Sequence, residues 1–199
     1  MKKVVLFGAS GKTGKYIMRK IQSINDIELT VFVRTPSKLN DMDLKNVKVI
    51  QGDALNIEDV NKAMEGQDIL IGSLEGDVLT MANNIVSSLE ETSVKRIIWI
   101  TGMGIHHEIK GIRGKMLSIF AKTRPDYIKA ADTIAASNAV TTLLRCPGIN
   151  DGENEKYYLT KESEQPRNKD IDRAGIAKCM VDMILDDSLG TNDSLGITN

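Results

Sequence analysis

Cysteine, aromatic residues and long apolar runs are all scarce in this chain, and each scarcity excludes a class of protein. Two cysteines in 199 residues are too few for a disulfide framework or a metal site, so Cys146 and Cys179 are expected to be reduced thiols. No apolar stretch reaches the roughly 20 residues that span a bilayer. Because the first residues have the pattern of a core strand rather than a signal peptide, we expect a cytoplasmic protein.

An excess of charge of either sign is also absent. Lys and Arg number 26 against 27 Asp and Glu, a net charge of -1, which gives no reason to expect nucleic acid or a membrane as a partner. The chain is 41% hydrophobic, enough to bury a core of ordinary size. We therefore predict a single globular domain over residues 1–199.

Glycine, by contrast, is present in a pattern. A short apolar run at residues 4–7 is typical of a strand buried on both faces. Gly8, Gly11 and Gly14 follow it, and a helical pattern of apolar residues comes next, with Ile17 and Ile21 on one side. Strand, glycine turn and helix in this order are typical of a dinucleotide-binding cradle.

Each glycine has a physical reason in such a cradle. The chain must turn tightly, let bare backbone approach a pyrophosphate, and bring the helix close to the sheet. The helix then directs its free N–H groups and positive dipole end at the phosphates. A P-loop does not fit, because Ala9 and Tyr16 occupy positions where that motif needs glycine and serine or threonine. The candidate phosphate-binding residues are Gly8, Ser10, Gly11, Lys12, Thr13 and Gly14.

The residue after the second predicted strand bears on which cofactor binds. That strand covers residues 27–33, and Arg34 follows it about 20 residues beyond the last glycine, where a carboxylate would bind the ribose of NAD. A guanidinium can instead pair with a 2′-phosphate through two charge-assisted hydrogen bonds. Arg34 therefore favours NADP(H), with Lys12 and Lys38 as further sources of positive charge.

Polar residues also follow the next three predicted strands. Asp53 could accept a hydrogen bond from the adenine amino group or simply form a turn; Ser73 and Thr101 follow strands four and five. Alternating strands and helices imply a parallel sheet whose binding crevice lies beyond the carboxyl ends of its strands. We expect Gly8, Arg34 and these three residues to line that edge.

The remaining stretches carry weaker signals. Residues 102–126 predict a mobile loop leading to an irregular helix, and the adjacent His106 and His107 are expected to be exposed rather than metal-bound. Residues 157–160 are a possible short strand, Asn56 and Asp172 are predicted helix caps, and residues 195–197 are a predicted small edge strand.

Several of these landmarks together resemble a known family. They are Gly-Ala-Ser-Gly-Lys-Thr-Gly at 8–14, Val-Arg-Thr-Pro-Ser-Lys at 33–38, Gln-Gly-Asp at 51–53 and Leu-Leu-Arg-Cys-Pro-Gly at 143–148. The chain is similar end to end to atypical short-chain dehydrogenases/reductases, in the small NAD(P)H-binding branch related to NmrA-like proteins and biliverdin IXβ (flavin) reductase. The resemblance implies an α/β, Rossmann-like, doubly wound parallel sheet of six or seven strands, bound NADP(H), and a small acceptor such as a quinone, flavin or tetrapyrrole.

The catalytic pattern of that superfamily is incomplete here. Typical members use a Tyr-x-x-x-Lys pair in which lysine lowers the pKa of tyrosine so that the phenol can exchange a proton with substrate. Lys129 matches the lysine, but Pro125 stands four residues before it, and Tyr127 points to another face of the helix. The expected serine position holds Thr101.

Two hypotheses remain open from the sequence. The first is an NADPH-dependent reductase for a small planar acceptor, in which Thr101 binds nicotinamide or substrate and Tyr127 donates a proton. The second is a non-enzymatic NADP(H) sensor of the NmrA type that reports redox state to a protein partner. Thr101, Tyr127 and Lys129 are thus the catalytic candidates under the first hypothesis.

Overall fold

A computed structural model describes residues 1–167 and 169–199, and all of their side chains except those of Arg113 and Phe120. Over these residues the chain forms ten strands: β1 (Lys2–Phe7), β2 (Ile27–Val33), β3 (Val47–Gln51), β4 (Ile69–Gly72), β5 (Arg96–Gly102), β6 (Val140–Cys146), β7 (Ile149–Asn150), β8 (Tyr158–Lys161), β9 (Ile171–Asp172) and β10 (Asp193–Thr198). The helices are α1 (Lys12–Gln22), α2 (Ile57–Met64), α3 (Val78–Ser88), α4 (Gly111–Lys122), α5 (Pro125–Ala135) and α6 (Arg173–Leu185).

Eight of the strands form one sheet in the order β3-β2-β1-β4-β5-β6-β10-β8. Seven are mutually parallel, as the sequence predicts, and the eighth, β8, runs antiparallel to β10. The order reverses between β1 and β4, which opens a crevice at the carboxyl ends of the strands. The predicted Rossmann-like α/β fold is therefore confirmed.

Helices cover both faces of the sheet, and β1 shows why its strands are apolar on both sides. Val4 and Leu6 pack in the core cluster that includes α1 and α6. Val5 and Phe7 pack in the cluster with α2, α3 and α5. Since consecutive side chains point to opposite faces, a strand between two helical layers must be apolar at every position.

Three local predictions need correction. The terminal strand β10 is not at the edge, because it lies between β6 and β8. Asp172 occupies the N-cap position of α6 but makes no side-chain cap bond; its carboxylate accepts from the Asn154 N–H and the Asn199 Nδ2, both at 3.2 Å. The predicted irregular helix is a 12-residue α-helix, α4.

Other local features agree with the sequence. The Asn56 side chain caps α2 by accepting a hydrogen bond from the Glu58 N–H at 2.9 Å. Both cysteines are buried and free, as expected. In the part of the chain that the structure describes, every helix is too short or too polar to cross a bilayer.

Candidate functional site

A cleft of about 790 Å³ opens at the carboxyl ends of β1, β2, β4, β5 and β6. It falls within the roughly 300–1,000 Å³ typical of small-molecule sites. Of the residues singled out from the sequence, ten line it: Gly8, Ser10, Gly11, Lys12, Thr13, Arg34, Asp53, Ser73, Thr101 and Tyr127. The parallel sheet thus brings together residues that are up to about 120 positions apart in the chain.

The glycine turn at the first end of the cleft leaves no room for side chains. Gly8 has φ +87°, and a Cβ there would lie 1.9 Å from the carbonyl oxygen of Ser73, the residue that follows β4. Gly14 does not line the cleft; a Cβ there would lie 2.2 Å from the Gly8 carbonyl oxygen, inside the contact between α1 and the turn. Both glycines are therefore needed for the tight packing of turn, sheet and helix.

The same turn creates an anion-binding surface. Gly11 is the N-cap of α1 and supplies no side-chain cap, while its own N–H donates to the Gly8 carbonyl at 3.0 Å. The N–H groups of Lys12, Thr13 and Gly14 have no intrahelical acceptor, because they belong to the first turn of the helix. Together with the helix dipole they suit a phosphate group.

A carboxylate stands beside this surface. Asp151 accepts a hydrogen bond from the Lys12 Nζ at 3.1 Å and also contacts the Arg173 guanidinium. The hydrogen bond from Lys12 and the nearby charge of Arg173 hold the pKa of Asp151 below its usual value. Lys12 and Arg173 both line the cleft, so Asp151 partly neutralises the cations that face a bound phosphate.

The segment that carries Asp151 runs along α1. Tyr16 Oη donates to Glu153 at 3.1 Å, and Lys20 Nζ donates to Glu155 at 2.6 Å. Alternate residues of an extended segment therefore pair with every fourth residue of the helix. These contacts fix the position of residues 151–155 over the helix that begins at the cleft.

At the β2 end of the cleft, Arg34 is exposed and faces the opening. Within the described part of the chain, its guanidinium has no carboxylate partner, so the group is available to a ligand. Asp53 Oδ1 accepts from the Leu55 N–H at 3.1 Å, and the residue also lines the cleft. Asp53 therefore forms a turn, as one of its two interpretations requires. Lys38 is exposed in a 3-10 turn, Pro36–Leu39, outside the cleft lining.

At the opposite end of the cleft from Arg34, Thr101 at the end of β5 is the polar residue that says most about ligand binding. Its side chain is buried and its Oγ1 has no hydrogen-bond partner among the described residues. A buried hydroxyl left unpaired costs roughly 1–3 kcal/mol. Because Thr101 lines the cleft, a polar atom of a bound ligand is the natural partner for it.

Cys146 pairs in register beside Gly102 and also lines the cleft, a position the sequence did not predict. Burial raises the pKa of its thiol to about 12. The thiol is therefore protonated at neutral pH and is a poor nucleophile.

The structure separates the two residues of the incomplete catalytic pair. Tyr127 faces the cleft, where its Oη accepts from the Gly76 N–H at 3.3 Å and its ring lies 5.1 Å from the Arg124 guanidinium carbon. Lys129 is exposed and lies outside the cleft lining. Of these two residues, only Tyr127 lies in the cleft lining. The Tyr127 O–H remains able to donate a hydrogen bond.

A buried ion-pair network supports the loop after β5. Arg145 is 1% exposed and contacts Glu108, while its Nε donates to Ser194 Oγ at 3.0 Å. Glu108 in turn accepts from the Gly104 N–H at 2.8 Å. This network fixes the backbone that presents Met103 to the cleft.

His106 extends that network. No local sequence pattern predicts this role, because the partners of His106 are distant in the chain. Its Nδ1 lies 2.7 Å from Glu162 and its Nε2 lies 3.1 Å from Asp132. Burial of the ring opposes the charged form, but the two carboxylates outweigh it and raise the pKa of His106. His106 is exposed, as expected, and the structure adds its two carboxylate partners. Among the described residues, no cluster of His, Cys, Asp or Glu is arranged to hold a metal ion.

A Rossmann-like sheet with a glycine cradle and a cleft at its switch point defines a dinucleotide-binding protein. The match to a family model agrees with this class: residues 8–187 match the NAD(P)H-binding family, and the chain belongs to that family.

Solved structures give the same fold over the whole chain. A Rossmann-fold NAD(P)-binding family protein from Shigella flexneri is 28% identical, with a TM-score of 0.84 over 100% of this chain and 94% of that one. A short-chain dehydrogenase/reductase from Veillonella parvula in complex with NADP is 22% identical, with a TM-score of 0.84 over 100% and 94%. ChuY, an anaerobillin reductase from Escherichia coli O157:H7, is 17% identical, with a TM-score of 0.81 over 99% and 97%.

Proposed function

We propose that this protein is an NADPH-dependent oxidoreductase that reduces a small planar acceptor such as a quinone, a flavin or a related compound. NADPH, when bound, supplies the hydride, and the protein supplies binding and orientation. The observation that carries the proposal is the extent of the cleft. Besides the residues assigned to the cofactor, the cleft has an apolar region lined by Met81, Ile105, Leu117 and Ala121, which suits the faces of a planar acceptor.

Each group in the cleft has a role in this proposal. The N-terminus of α1 and Lys12 hold the pyrophosphate, and Arg34 pairs with the 2′-phosphate. Thr101 Oγ1, buried without a partner, hydrogen-bonds the nicotinamide or the acceptor. The Tyr127 O–H donates a proton or a hydrogen bond to the reduced acceptor, and solvent delivers the proton when the product is a stabilised anion.

The preference for NADP(H) can be tested at Arg34. The Arg34→Asp substitution removes a charge-assisted pair worth roughly 1.5–3 kcal/mol and adds repulsion, so NADP affinity should fall about 10- to 100-fold. NAD affinity should change less than about threefold in the same titration. Lys38→Asp is the matched control, because Lys38 is exposed nearby but lies outside the cleft lining. Equal losses for the two cofactors would contradict the assignment.

Turnover is tested by following NADPH absorbance with benzoquinone, menadione, FMN and dichlorophenolindophenol as acceptors. We expect oxidation above background with at least one of them. Thr101→Val should lower kcat/KM about 10-fold or more through loss of its hydrogen bond. No oxidation with any acceptor would remove the reductase proposal.

The sensor hypothesis makes a different prediction in the same samples. A ligand shifts a conformational balance only through differential binding, so a sensor must bind oxidised and reduced cofactor with clearly different affinities. Equal affinities for NADP and NADPH, measured by calorimetry, would exclude it. The apolar second region of the cleft favours the reductase.

A further inference from the structure

The outer face of α4 carries an apolar stripe that is left uncovered by the part of the chain that the structure describes. Ile112, Met116 and Ile119 are 82%, 66% and 65% exposed, which makes them, together with Met1, the most exposed large apolar side chains among those described. Their spacing places them within roughly 60° of one another around the helix axis. The opposite face of the helix carries Leu117 and Ala121, which line the cleft.

The charged residues of α4 and its short flanks, between Glu108 and Asp126, have one sign. Residues 109–125 contain five cationic residues, Lys110, Arg113, Lys115, Lys122 and Arg124, and no Asp or Glu. Lys115 and Lys122 are exposed and flank the stripe on one side by helical geometry. Since the whole chain has 26 Lys and Arg against 27 Asp and Glu, the rest of the molecule is net acidic. The balanced total charge therefore conceals one local basic surface.

An exposed apolar stripe flanked by lysines is the composition of a helix that lies in the interface of an anionic bilayer. The apolar side chains enter the acyl boundary, while the lysine stems reach back to the headgroups. A second copy of the chain fits this face poorly. A two-fold contact would place the basic helix against itself, and like charges would meet across the interface.

We propose that α4 docks the protein reversibly on the surface of an anionic membrane, with Ile112, Met116 and Ile119 inserted and Lys115 and Lys122 on the headgroups. This would bring the apolar region of the cleft next to the bilayer, because Leu117 and Ala121 belong to the same helix. Membrane docking itself is independent of turnover. Its use, the supply of a lipid-soluble quinone to the cleft, rests on the proposed function.

The test is co-flotation of the full chain with vesicles of phosphatidylcholine alone and of phosphatidylcholine with about one third phosphatidylglycerol. We expect binding to the anionic vesicles only, and release at about 1 M salt, where charges are screened beyond roughly 3 Å. The triple variant Ile112→Ser/Met116→Ser/Ile119→Ser and the double variant Lys115→Glu/Lys122→Glu should each lower the bound fraction about tenfold or more.

Matched controls are the double variants Leu44→Ser/Leu185→Ser and Lys45→Glu/Lys48→Glu, which change exposed apolar and basic residues elsewhere. They should float like the wild type, and all variants should keep their far-UV circular dichroism spectrum. Absence of flotation with anionic vesicles, or equal flotation with neutral ones, overturns the proposal. Dimerisation through α4, seen by sedimentation and lost in the triple variant without vesicle binding, would assign the face to a second copy instead.

The proposed function is tested separately in the same preparations, by measuring NADPH oxidation with quinones. If flotation occurs and NADPH oxidation with quinones does not, membrane docking stands and the proposed function fails. If NADPH oxidation occurs in solution and flotation does not, the proposed function stands and membrane docking fails. Where both hold, anionic vesicles loaded with a lipid-soluble quinone should raise the turnover of the wild type and not that of the triple variant.

Discussion

The glycine cradle can be tested by adding a single methyl group at two glycines of similar backbone conformation. Gly8 has φ +87° and Gly66 has φ +68°, so alanine is strained at both positions. They differ in what the new Cβ would meet. At Gly8 it would lie 1.9 Å from the Ser73 carbonyl oxygen, whereas at Gly66 no atom lies within 4 Å. The Gly66→Ala variant is therefore the matched control for Gly8→Ala.

The expected magnitudes follow from these two environments. A left-handed backbone disfavours alanine by roughly 1–2 kcal/mol. Because alanine also leaves the unfolded chain less conformational entropy than glycine does, about 0.4–1 kcal/mol of this cost is offset. Gly66→Ala should therefore lower the free energy of unfolding by about 1 kcal/mol. Gly8→Ala adds an overlap with backbone that only a shift of β1 from β4 relieves, and such overpacking costs roughly 1–3 kcal/mol more.

Two assays read this difference. Urea unfolding gives the free energies, and calorimetric titration with NADPH gives the affinities. We expect Gly8→Ala to lose about 2–4 kcal/mol of stability and at least about tenfold in affinity, because the turn and the first N–H groups of α1 move together. Gly66→Ala should keep its affinity within about twofold. Equal destabilisation by the two variants, or unchanged affinity in Gly8→Ala, would refute the close approach of backbone as the reason for the motif.

Three further predictions follow from the charged and nucleophilic groups around the cleft. Asp151→Asn should tighten NADPH binding about two- to fivefold at low salt, because the charge of Lys12 is no longer neutralised. The control is Asp41→Asn, which frees Lys15 away from the cleft and should leave NADPH affinity unchanged. Calorimetric titration with NADPH measures both affinities. Because the pKa of His106 is raised above 6.5 in the folded protein, its contribution to stability is complete below pH 6.5 and lost as pH rises through the folded value. The wild type should therefore lose stability relative to His106→Gln as the pH rises above 6.5 in urea unfolding, and parallel curves would contradict this. Cys146, with its pKa raised to about 12, should react with iodoacetamide at pH 8 about 10³-fold more slowly than free cysteine, and fast labelling of the native protein would contradict its burial.

The main elements of the sheet could be predicted because their signals are local. β2 begins and ends where the sequence predicts, and the Asn56 cap fixes the start of α2. The position of the terminal strand, β10, was harder to predict. Its residues predict a short strand, but its place between β6 and β8 depends on pairing with segments about 35 and 50 residues away, which no local pattern reports.

The features of the candidate site also divide into those predicted by local sequence and those that depend on tertiary contacts. The sequence by itself determined the strand-turn-helix cradle, the position of Arg34, and the lack of a Tyr-x-x-x-Lys pair at Lys129, since each depends on spacing along a few turns or one strand. Only the tertiary structure decided that Cys146 lines the cleft, that His106 bridges Glu162 and Asp132, and that α4 turns an apolar face outward. Those features arise when distant segments meet or fail to meet, and contact between distant segments is fixed by the packing of the whole sheet rather than by any one stretch of it.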